Sequence, residues 1–159
     1  MKNDIISMFV LLIFGLLYLF FFAKLQNRYF KNLSQPNKNS AVLIVFVSSL
    51  ISASINLVHI TDLAADALRF FLKLNNVTTS IMFAFAFFAG MWVFSILLFR
   101  FSYIIIGFLT PEKEDDELMK NNIELALIHS VILISITFVI APALVKLAAG
   151  FIPYPTIPF

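Results

Sequence analysis

The sequence predicts an all-α integral membrane protein whose four transmembrane helices form two tandem helical hairpins, with an amphipathic helical extension after the second span. Three observations carry this. Of the 159 residues, 61% are hydrophobic and only 13% charged, against roughly 25% charged in an ordinary soluble domain. Four apolar runs are each long enough to cross a hydrocarbon core of roughly 30 Å at about 1.5 Å per residue. One order of features (apolar helix, cation, semi-polar connection, Lys-Asn, apolar helix) occurs twice. A soluble fold of this size has too much exterior to hide so much apolar side chain, so the solvent must be lipid.

The first run, residues 5–23, carries no charge. It ends with Phe21 ahead of Ala23, without the small residues that signal cleavage wants, and reads as an anchor that stays. The second, residues 41–60, has His59 as its one titratable group. It leads into ITDLAADALRFFLKL, where Leu63, Ala67, Phe70 and Leu74 line one face and Asp62, Asp66, Arg69 and Lys73 the other. Acids precede cations, as the helix dipole favours, and Asp66 and Arg69 are spaced to pair. This segment is expected to continue the second span as an outer helix, or to bend at Thr61 and lie on the membrane surface. The third run, residues 77–99, is uncharged and ends at Arg100, whose stem can snorkel to the headgroups if the helix continues. The acidic run at residues 112–117 is expected to be solvated loop. The fourth run, residues 125–145, holds His129 near its start and Pro142 near its end. Hydrocarbon offers the backbone no partners, so each run must be a helix. The chain is thus one membrane domain, residues 1–159, comprising a hairpin at 5–60, an outer segment at 61–75, a second hairpin at 77–148 and a tail at 149–159.

Lys24, Arg28, Lys31 and Lys38 follow the first span without an acid, and Arg100, Lys113 and Lys120 follow the third. The opposite side holds Lys2, Arg69, Lys73 and Lys146. Because Lys and Arg set orientation and acids contribute little, the first and third connections are expected in the cytoplasm and both termini outside it.

A shift of 82 residues lays the second span on the fourth: Lys38-Asn39 meets Lys120-Asn121, Leu43 meets Leu125, Ser48 meets Ser130 and Ala67 meets Ala149. The two hairpins share one orientation, so an axis along the membrane normal would relate them. Leu109-Thr110-Pro111, the acidic run, and Lys120-Asn121-Asn122-Ile123-Glu124-Leu125-Ala126-Leu127, echoed by Lys38-Asn39-Ser40-Ala41-Val42, resemble the bacterial membrane family called domain of unknown function 350. That resemblance implies an integral protein of the bacterial inner membrane, built from tandem two-helix units, and supplies no chemistry.

At about 100° per residue, Ser48, Ser52, Asn56, His59, Asp62 and Asp66 form one polar stripe. Its outer part is expected to face water and its serines to bond helix carbonyls at helix contacts. The sharper reading is a wetted seam lining a pore or a subunit interface, since polar groups at depth are costly unless they face a cavity or a partner. A divalent metal across His59, Asp62 and Asp66 is geometrically conceivable, but a second ligand cluster is lacking, so neither metal nor cofactor is expected. Glu124 is expected at the interface beside Lys120. His129 is expected as a neutral imidazole sharing a hydrogen bond with a neighbouring helix; a proton relay would need a second titratable group at its depth, and the other spans offer none. In the tail, Pro153, Pro155 and Pro158 preclude a regular helix, and Phe151, Tyr154 and Phe159 are candidates for docking a partner.

The absence of Cys removes disulfides and thiol chemistry, and the net charge of +2 comes with no basic cluster suited to nucleic acid. No nucleophile elbow, zinc-protease motif, phosphate loop or paired carboxylate occurs within the spans. The expected partners are the bilayer and either a second copy or another membrane protein. The function expected is that of a nonenzymatic subunit or accessory component of a larger membrane assembly. The alternative is a small oligomeric channel or transporter using the stripe.

Overall fold

A computed structural model describes residues 2–33, 39–73, 77–109 and 113–150. The elements are α1 (Lys2–Leu33), α2 (Ser40–Lys73), α3 (Val77–Leu109), the short α4 (Glu114–Met119) and α5 (Ile123–Ala149). All but α4 are long and apolar enough to cross a membrane, so the chain is a multi-pass membrane protein in a lipid bilayer. The tail bearing Phe151, Tyr154 and Phe159 lies outside the described residues.

Each helix outruns the apolar run that predicts it, because flanking polar residues continue the backbone ladder into the headgroup region. α2 runs through Thr61 without a break; the Thr61 hydroxyl donates to the Leu57 carbonyl one turn back at 2.7 Å. Beyond Thr61, Leu63 and Ala67 are buried, Asp62 and Asp66 exposed, and Arg69 lies 3.8 Å from Asp66. Pro142 sits inside α5 rather than ending it.

α2 is the centre of the bundle, packing on α1, α3 and α5. Its small residues Ala53, Ala64 and Ala67 are buried and let neighbours approach closely. They join Tyr18, Phe22, Phe88 and Met91 in one apolar cluster. A second cluster, nearer the start of α2, combines Phe30, Val42, Val45, Phe99, Leu118 and Leu133.

The acidic run departs from expectation. Most of it forms α4, whose first turn is Glu114, Asp115, Asp116 and Glu117, the charge that a helix N-terminus favours. Glu114 and Leu118, one turn apart, both face inward and are buried. α4 closes with Asn121 at φ 61°, a left-handed position that Asn tolerates. The Asn121 and Asn122 amides return to the Leu118 and Glu117 carbonyls at 3.0 Å each, the bond pair that finishes a helix on a left-handed residue. Asn122 then caps α5 by accepting from the Leu125 amide at 3.1 Å. Lys120 pairs with Glu117 at 2.6 Å.

The same chemistry joins the halves. Asn39 caps α2, accepting from the Val42 amide at 3.0 Å, while its own amide donates to the Leu118 carbonyl at 2.7 Å. In return the Asn121 side chain accepts from the Ala41 amide at 3.0 Å. The capping counterpart of Asn39 is therefore Asn122, one residue on from the sequence match. Ser48 and Ser130, equivalent under the repeat, meet each other at 3.0 Å, as equivalent residues do at an axis between α2 and α5. The symmetry stops there. Ser49 and Asn56 on α2 are fully buried at 0%, whereas their counterparts on α5, Val131 and Phe138, are 64% and 59% exposed.

Candidate functional site

A line of polar contacts runs through the bundle from α2. Ser130 donates to Ser48; Ser52 meets Thr137; and the Asn56 amide donates to Ser95 at 2.7 Å, with the Tyr18 hydroxyl on the same Ser95 oxygen at 2.5 Å. Ser48, Ser52 and Asn56 of the predicted stripe are thus buried against α5 and α3 of the same chain. The outer members separate from them. His59 is half-buried, Asp62 and Asp66 are exposed, and among the described residues no three His, Asp or Glu side chains gather as a metal site would need.

Three hydroxyls in this line lie against carbonyls of their own helices. Ser48 bonds the Val45 carbonyl at 2.9 Å and Thr137 the Leu133 carbonyl at 2.8 Å, while the single Ser130 hydrogen lies between Ser48 and the Ala126 carbonyl, 2.8 Å away. A proton wire needs hydroxyls free to turn; here turning Ser48 or Thr137 breaks a bond inside the packed bundle. The line holds helices together in the way polar residues do in membrane bundles.

The second polar cluster lies at the α4 end, and sequence reasoning missed most of it. His129 is fully buried on α5, and its Nδ1 faces the Glu114 carboxyl of α4. Its Nε2 lies 2.8 Å from the Ser102 hydroxyl of α3. Tyr103 stands edge-on to the imidazole with ring centroids 4.6 Å apart, and Phe99 lies 5.8 Å away. The titratable group that the spans could not supply at this depth comes from the connection, because α4 folds back onto the bundle.

The donors decide the protonation. The Ser102 oxygen lies 2.7 Å from the Phe99 carbonyl and 2.8 Å from His129 Nε2; both bonds are made when the hydroxyl donates to the carbonyl and accepts from a protonated Nε2. One further proton lies between Nδ1 and Glu114. Burial pushes the Glu114 carboxyl above its ordinary range, while the hydrogen bond from His129 and its charge pull the other way. The other carboxyl oxygen of Glu114 is buried without a hydrogen-bond partner, which disfavours a charge there. Burial and the orphaned oxygen favour the neutral form, with the carboxyl donating to Nδ1.

Hydroxyl, imidazole and carboxyl in a row share the order of an acyl-transfer relay, yet the proton positions are wrong for one. A nucleophilic serine gives its proton to the imidazole; here the imidazole gives its proton to the serine, and both groups are fully buried. What the cluster can do is hold one proton between two groups and fasten α4 to α3 and α5. One signal in the sequence points to it: Glu114 and Leu118 stand one helical turn apart, on one face of any helix the acidic run forms.

No curated protein and no solved structure matches the chain. The family described as Domain of Unknown Function (DUF350) matches residues 1–144, nearly the whole of the two hairpins and their connections. With the tandem helical pairs and the Asn-capped connections in place, the chain belongs to the family of domain of unknown function 350.

Proposed function

We propose that this protein is a nonenzymatic subunit or accessory component of a larger membrane assembly, set in the bacterial inner membrane with both termini outside the cytoplasm. The open face of α5 carries the reading. α3 covers α2 around Asn56, but on the equivalent face of α5 Val131 and Phe138 are exposed, and among the described residues no helix covers them. An uncovered face whose counterpart in the other hairpin is covered supports docking of the transmembrane helix of another subunit. The sealed Ser102 supports a nonenzymatic role, since no reacting group reaches it.

The channel reading finds less support, because Ser48, Ser52 and Asn56 already have partners within the chain. The test is purification in mild detergent followed by mass measurement. A complex larger than one chain is expected, and Phe138→Ala and Val131→Ala should weaken it; a lone monomer with no co-purifying protein refutes the proposal. Labelling of intact cells with an impermeant reagent should reach a cysteine placed at Lys146 and spare one placed at Arg28.

A further inference from the structure

We propose that the furrow between α1 and α3 binds one anionic phospholipid, with the phosphate on Arg28 and Arg100 and an acyl chain running inward to Trp92 and Phe14. Two concave stretches share this helix pair. The inner one, about 370 Å³, is lined by Phe14, Leu17, Tyr18, Phe21, Phe88 and Trp92 among others and is almost wholly apolar. The second, also about 370 Å³, continues along the same faces with Leu25, Gln26, Tyr29 and Ile96 and ends at the two arginines. Successive lining residues on each helix step by three or four, so the two stretches form one track. α1 and α3 each lean on α2 more than on each other, which opens the track. Phe14 against Phe88, with centroids 5.7 Å apart, closes its inner end.

Length and charge choose the occupant. From Phe14 to Arg28 the helix rises roughly 21 Å, about half of a bilayer of 40–45 Å including headgroups. The track is therefore one leaflet long, matching a lipid rather than a crossing helix. Among the described residues neither arginine has a carboxylate within ion-pair distance. Arg100 lies over the Tyr29 ring at 4.8 Å, and the nearby Asp115 accepts from the Tyr29 hydroxyl at 3.2 Å. Two guanidinium groups at the headgroup end of an apolar track fit a phosphodiester with net negative charge.

Trp92 is the chain's single tryptophan and lines the track, so its fluorescence reports the occupant. The full-length protein is reconstituted in vesicles in which either phosphatidylglycerol or phosphatidylcholine carries brominated acyl chains, at equal mole fraction. Selective binding predicts that brominated phosphatidylglycerol quenches Trp92 roughly threefold or more beyond brominated phosphatidylcholine at low mole fraction. In Arg28→Gln/Arg100→Gln the two lipids should quench alike. The single variant Arg28→Gln alters an exposed residue outside both apolar clusters and should lose part of the preference even if the double variant fails to fold. Equal quenching by both lipids in the wild type overturns the proposal, and so does a preference that survives loss of the arginines.

Discussion

Truncating Glu114 tests the clasp at α4 most directly. Glu114→Ala removes the group facing His129 Nδ1 and leaves that nitrogen buried without a partner. An unsatisfied buried acceptor costs about 1–3 kcal/mol, and a value near 2 is expected here. α4 should stay docked most of the time, because Leu118 remains buried and Asn39 still holds its carbonyl. The change appears as local opening: about 2 kcal/mol corresponds to roughly a 30-fold larger open population. Hydrogen exchange reads this at the Lys120, Asn121 and Asn122 amides, which bond the carbonyls of Asp116, Leu118 and Glu117. Glu114→Gln keeps a donor for Nδ1 and should exchange within about fivefold of the wild type. If the alanine variant exchanges no faster than the wild type, or the glutamine variant matches the alanine, the proton assignment is wrong.

The same carboxyl makes a pH prediction. Its folded pKa is raised, so its share of stability is complete below the ordinary carboxyl range and is lost as pH rises through the raised value. Exchange at α4, corrected for the intrinsic rate, should accelerate over that window in the wild type and stay level in Glu114→Gln. Asn39→Ala removes a helix cap and the tie to α4 together, and should destabilise the protein by about 2 kcal/mol; Asn39→Asp keeps the cap alone and should recover part of this in thermal unfolding in detergent. For Ser52 and Thr137, a double-mutant cycle of Ser52→Ala with Thr137→Val should give a coupling of about 0.6 kcal/mol and no more than about 1.7, by unfolding in mixed micelles. Cysteines replacing Ser48 and Ser130 should cross-link within one chain, because the two hydroxyls already touch.

Four membrane-length helices and the polarity of the α2 extension are legible in the residues alone, because lipid leaves a backbone no other choice and apolar length is directly countable. Asn39 and Asn121 also stood out, although their division of labour did not: a one-residue difference in connection geometry moves the cap to Asn122 and frees Asn121 to reach α2. Ser48, Ser52 and Asn56 were visible as a stripe, but a stripe shows only that residues share a face. Which helices meet it is settled by packing across long sequence separations, and here Ser130, Thr137 and Ser95 occupy it. The fate of the acidic run follows from packing, not from its composition. Charge clusters read as solvated because each carboxylate prefers water. Glu114 turns inward because Leu118, one turn away on the same face, is drawn into the core and His129 waits there to share a proton.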